Sequence, residues 1–170
     1  MERSNVRVEA EDPLAIYRLG RFYADGLYGY PRDYAKALEL YHQAGELGCS
    51  KAYNTIGSAY NNGEGVEVDK KKAVYYWELA AVMGNTISRH NLGVKEENTG
   101  NYDRALRHYM IAAGCGYADS LTVIQRLYSK GHATKEVYMK ALQLYQEYLG
   151  EIKSIQRDKA AADDEEYSYY

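Results

Sequence analysis

The chain has 170 residues, 46% hydrophobic and 26% charged, with 15 Gly, 2 Pro, 2 Cys and 20 Tyr. That composition suits one domain of ordinary solubility and excludes collagen-like and low-complexity chains. Lys+Arg is 21 and Asp+Glu is 24, and Asp163, Asp164, Glu165 and Glu166 hold four of the negatives, so residues 1–162 sum to +1 and offer no basic excess for a nucleic acid. The two cysteines, Cys49 and Cys115, are too few for a disulfide framework, and no stretch approaches the roughly 18 apolar residues of a membrane helix. The start, MERSNVRVEAEDP, lacks the apolar core of a secretory signal, so a cytoplasmic or nuclear location is expected, with no membrane partner.

Residues 1–12 carry no apolar periodicity and read as an N-terminal extension. From Pro13 onward the pattern changes to apolar residues at helical spacing, and eight helices are predicted at about 13–25, 33–47, 51–62, 69–83, 86–98, 102–113, 118–130 and 135–156. Asp12 precedes a helix that begins with Pro13. Asp33, Asp69 and Thr134 stand before second helices, and Gly48, Gly84 and Gly116 close them. Residues 157–170, acidic and rich in tyrosine, are expected to form a disordered tail.

The helices come in pairs that repeat. Ala37, Ala73, Ala105 and Ala141 open one pattern at spacings of 36, 32 and 36, and Ala15, Ala52, Ser88 and Ser120 open another at 37, 36 and 32. Tyr41, Trp77, Tyr109 and Tyr145 fall at one equivalent place, and Gly20, Gly57 and Gly93 at another. A lone helix pair cannot cover its apolar face, so neighbouring pairs must stack. The expected fold is all-α, an α/α superhelical solenoid of about four helix-turn-helix repeats spanning 13–156 (about 13–48, 49–84, 85–116 and 117–156).

The second repeat, AYNTIGSAYNNGEGVEVDKKKAVYYWELAAVMG from Ala52 to Gly84, resembles the Sel-one-like repeats, relatives of the tetratricopeptide repeat. The first keeps Leu19, Gly20, Tyr23, Gly26, Asp33, Lys36, Ala37, Tyr41 and Gly48. The third keeps Leu92 and Gly93 with a shortened loop, and the fourth has Gln125 where the others have glycine. The resemblance implies a non-enzymatic protein-interaction scaffold that binds a peptide or partner domain on a concave face built by the first helices. Its register places Tyr17, Arg21, Asn54, Ser58, Asn61, His90, Glu97 and Arg126 in that groove. Asn54 and Asn61 are expected to bond peptide groups and to be dispensable for stability, and Arg21 and Arg126 to take partner carboxylates. A related reading is an adaptor subunit of a ubiquitin-ligase or protein quality-control complex.

Catalytic chemistry finds little support. His42, His90, His108 and His132 have no paired-ligand spacing, so no metal is expected. The Asn62–Gly65 segment lacks the Gly-Lys-Ser/Thr ending of a phosphate loop, and no cofactor motif is present. A hydrolase resting on His90, Glu97 and Cys115 is the weaker alternative.

Overall fold

The computed structural model describes residues 12–167; the N-terminal extension, apart from Asp12, and positions 168–170 lie outside them. Eight helices follow in order: α1 (Pro13–Asp25), α2 (Tyr34–Glu46), α3 (Ser50–Asn62), α4 (Lys70–Val82), α5 (Thr86–Asn98), α6 (Tyr102–Gly114), α7 (Ala118–Ser129) and α8 (Lys135–Tyr167). Among the described residues there is no strand, and the fold is the all-α repeat that the spacing predicts.

The helix starts follow from local chemistry. Asp12 accepts a hydrogen bond from the Leu14 N–H, Asp33 from Lys36 N–H, and Asp69 from the N–H groups of Lys71 and Lys72. Each satisfies donors that a helix start leaves open. Those two bonds to Lys72 and Lys71, strongest from Lys72, hold the Asp69 carboxyl below its ordinary pKa. Three further caps were not foreseen from the pattern alone: Asn85 accepts from Ser88 N–H at 2.9 Å, and Gly26 and Gly63 close α1 and α3 in the left-handed conformation.

The chain divides into two compact units, with the boundary between Leu92 and Gly93. In the first, α2 packs on α1 and α3, and α4 packs on α3. Its core holds Ile16, Ala37, Leu40, Tyr41, Ala44, Ala52 and Ile56, continued by Ala73, Trp77, Ala81 and Leu92. Half-buried tyrosines surround it: Tyr76 stacks on Tyr60 with centroids 5.8 Å apart and on Tyr53 at 6.0 Å. In the second unit α8 packs on α6 and α7 around Ala105, Leu106, Tyr109, Ile124, Leu127 and Ala141.

One contact recurs at the predicted place. The Tyr41 ring lies against Gly20, where an added Cβ would stand 2.7 Å from Cε1. Trp77 covers Gly57 at 2.5 Å and Tyr109 covers Gly93 at 2.6 Å in the same sense. The three rings are 5%, 6% and 0% exposed. The glycines therefore serve close approach rather than backbone freedom. In the fourth repeat Gln125 replaces the glycine, and Tyr145 is left half-buried.

The last helix departs from the sequence reading. It runs to Tyr167 rather than ending near 156, because no glycine or proline follows Gly150 and Lys159–Ala162 are strong helix formers. The backbone assigned to a disordered tail is thus helical as far as Tyr167.

Candidate functional site

The polar residues assigned to the groove are largely engaged by other residues of the chain. In the second unit Glu97 of α5 accepts a hydrogen bond from the Tyr109 hydroxyl at 2.9 Å and two from the Arg126 guanidinium at 2.7 and 3.0 Å. The carboxylate is 16% exposed, so this pair gains more than a surface pair would. Burial, and then the bond to Glu97, push the Tyr109 hydroxyl above its ordinary pKa, while Arg126 acts in the opposite direction. Arg126 already holds a carboxylate of its own chain. So does Arg21, whose guanidinium reaches Asp25 at 3.3 Å on an exposed turn of α1. The expectation that both arginines await a partner's carboxylate is corrected accordingly.

Asn54 also has an internal duty. Its Oδ1 accepts from the Ser88 hydroxyl at 2.8 Å and from Asn91 Nδ2 at 3.4 Å, tying α3 to the start of α5. Ser88 is fully buried, so its hydroxyl depends on that acceptor. Asn61 is a loop anchor: Lys70 Nζ donates to its carbonyl at 2.6 Å and to its Oδ1 at 3.0 Å. Ser58 and His90 are half-buried, on α3 and α5.

Tyr17 and Arg21 come together at a cavity of about 170 Å³ among α1, α2, α3 and their loops. Its apolar floor is Ala24, Ala37, Leu38 and Ala59, and its polar lining is Tyr17, Arg21, Asp25, Tyr34, Tyr41, Thr55 and Glu64. The rings of Tyr17 and Tyr41 approach to 5.6 Å, and the Tyr17 hydroxyl lies 3.4 Å from that of Thr55. Burial, with Tyr17 and Asp25 beside it, raises the Tyr41 hydroxyl above its ordinary value and keeps it neutral. Tyr34, Tyr41, Thr55, Asp25 and Glu64 are the residues that sequence reasoning missed; comparing repeats position by position would have found Ala24 where the third repeat has Glu97.

Other candidate chemistry stays dispersed. His42 meets Tyr76 edge-on at 5.4 Å, and His132 stacks on Tyr102 at 3.8 Å. Among the described residues no three His, Cys, Asp or Glu side chains cluster as metal ligands. Cys115 is exposed.

The Sel1 repeat family model matches residues 13–49, 50–85 and 126–147, more than half of the chain. The chain belongs to the Sel1 repeat family. Residues 86–125, which include the repeat with the shortened loop, are not matched, yet they build α5 and α6 and repeat the ring-on-glycine contact. A Sel1 repeat protein from Oxalobacter formigenes is 29% identical with a TM-score of 0.71, covering 84% of this chain and 60% of its own. A protective antigen of uropathogenic Escherichia coli with an SLR fold is 28% identical, TM-score 0.67, covering 84% and 31%. Among curated proteins, the ERAD-associated E3 ubiquitin-protein ligase component HRD3B of Arabidopsis thaliana is 36% identical over 91 residues, 52% of this chain. Chitin synthase regulatory factor 4 of Schizosaccharomyces pombe is 30% identical over 108 residues, 63% of this chain. The chain spans only 14% and 17% of those two relatives. Sel1 repeat proteins are protein-interaction scaffolds, and the fold is generally non-catalytic. No helix among the described residues is long and apolar enough to cross a membrane.

Proposed function

We propose that this Sel1 repeat chain is a non-enzymatic scaffold that holds a peptide or partner domain on the faces of its first helices. One observation carries the reading. Tyr17 and Arg21, which the repeat register assigns to the binding face, open on a cavity that the Tyr41 ring, Asp25 and Glu64 also line. Small-molecule sites run to roughly 300–1,000 Å³, whereas about 170 Å³ admits one side chain of a larger partner. The polar groups elsewhere on the face hold helices together, so they supply rigidity.

A narrower role, adaptor in a ubiquitin-ligase complex, draws support from the 36% identity to HRD3B. The similarity to a chitin synthase regulatory factor points to a different assembly, so the shared property is scaffolding. The face is tested by capturing partners with the intact chain and with two variants of equal charge change. Ser58→Arg lies on a first helix; Val82→Arg, at a side chain 85% exposed, lies at the end of a second helix. Capture abolished by Ser58→Arg and retained by Val82→Arg is expected. The reverse pattern would move the site to the second helices.

A further inference from the structure

The two units carry the same ring-on-glycine contact with different surroundings, and the difference is informative. In the second unit the Tyr109 hydroxyl, the Glu97 carboxylate and the Arg126 guanidinium form a closed set, with Arg126 entering from the first helix of the following repeat. Counting from Ala15, Ala52, Ser88 and Ser120, the residue matching Glu97 in the first repeat is Ala24, and the residue matching Arg126 in the second is Ser58. Both are too short to build the set. Ala24 lines the cavity against Tyr41, as do Thr55 and Ala59 on the helix that carries Ser58.

Carboxylates are nevertheless at hand. Asp25, one residue beyond Ala24, and Glu64, just past the end of α3, line the cavity, against the single cation Arg21. Glu64 accepts an amide proton from Asn62 at 2.9 Å and no cation is paired with it among the described residues. Arg21 and Asp25 form an i,i+4 pair with side chains 57% and 45% exposed, an arrangement that yields readily to a competitor. Tyrosine rings add negative faces that favour a cation. The first unit thus holds the tyrosine and two acids, while its own guanidinium groups are engaged, Arg21 on Asp25 in an exposed pair and Arg32 over the Tyr34 ring at 4.9 Å, which leaves Glu64 without a cation among the described residues.

We infer that the Tyr41 cavity receives the guanidinium of an arginine presented by a partner protein, seated between the tyrosine rings against Asp25 and Glu64 as Arg126 is seated on Glu97. A flat guanidinium suits this site better than an ammonium, because it can stack on a ring while its N–H fork reaches carboxylate and hydroxyl oxygens. The assignment deepens the scaffold reading and rests on it.

The test is an amide chemical-shift titration of the intact chain with capped Gly-Arg-Gly, and with the same tripeptide carrying citrulline, lysine or glutamate instead. Citrulline keeps the shape of arginine and removes its charge. Saturable shifts around residues 17–25, 55–59 and 64 are expected with the arginine peptide, and at least about tenfold weaker binding with citrulline. Arg21→Gln, which removes the competing cation, is expected to tighten arginine binding severalfold; Ser58→Arg, which supplies an internal guanidinium, is expected to block it while the melting curve shows the protein folded. Equal binding of citrulline, preference for glutamate, weaker binding by Arg21→Gln, or no response at tens of millimolar would overturn the arginine assignment. A response at these residues without charge preference would do so while leaving the first-helix face standing. That face itself falls only if Ser58→Arg spares partner capture and Val82→Arg abolishes it.

Discussion

Gly57→Ala tests the packing rule at its tightest point. The added methyl would stand 2.5 Å from Trp77 Cδ1, 2.7 Å from Nε1 and 3.0 Å from the carbonyl oxygen of Ala73. Carbon atoms sit comfortably about 3.5–4.0 Å apart, so the indole must retreat by about 1 Å while the α4 backbone blocks a sideways slide. Overpacking of this kind costs about 1–3 kcal/mol, and contact with both ring and backbone places it near 3. Replacing a helical glycine by alanine returns about 1 kcal/mol, leaving a net loss of about 2. Gly150 in α8 supplies the control: nothing lies within 4 Å of its added Cβ. Gly150→Ala should therefore stabilise by up to about 1 kcal/mol. Urea unfolding followed by circular dichroism measures both. Trp77, the single tryptophan, reports the first unit by fluorescence, and Gly57→Ala should shift its emission to the red. Combining Gly57→Ala with Trp77→Leu should cost less than the sum of the two changes, since the smaller side chain vacates the space. If Gly57→Ala proved as stable as Gly150→Ala, the ring-on-glycine account would be wrong.

Asn54→Ala should destabilise by about 1–3 kcal/mol, because the buried Ser88 hydroxyl loses its acceptor; a melt within error of wild type would show that bond to be idle. Glu97→Ala should cost a similar amount through Tyr109 and Arg126, while Tyr109→Phe, which keeps the ring on Gly93, should cost about 1 kcal/mol. Tyr109 also fixes a pH dependence. Its raised pKa in the folded state means that its contribution is intact below about 10, the ordinary tyrosine value, and is lost as pH rises beyond it, because the unfolded chain then releases a proton that the folded chain retains. The stability of Tyr109→Phe measured from neutral to strongly alkaline pH should fall less steeply than that of wild type, and identical slopes would contradict the assignment.

The helices were legible because glycine, alanine and aromatic residues recur in register, and seven of the eight lie within a residue or so of the expected bounds. The end of α8 was not, since nothing in Lys159–Ala162 marks a stop and a polar composition alone does not distinguish an exposed helix from a coil. Site residues were read correctly as to helix and wrongly as to engagement. Glu97 and Arg126 are 29 residues apart and Asn54 and Ser88 are 34 apart, so their bonds depend on how one repeat meets the next. Periodicity gives each helix its face and leaves the partner across the helix contact open. The cavity was hidden for a related reason: it arises from small residues, Ala24 and Ala59, whose significance emerges only when the repeats are compared.

Hydrogen–deuterium exchange of the full chain with and without a captured partner addresses the scaffold claim most directly. Slowed exchange in α1 and α3, around Tyr17, Arg21 and Ser58, with α4 around Tyr75 and Val82 unchanged, is the expected footprint. Protection of α4 with α1 and α3 exchanging as in the unbound chain would contradict it.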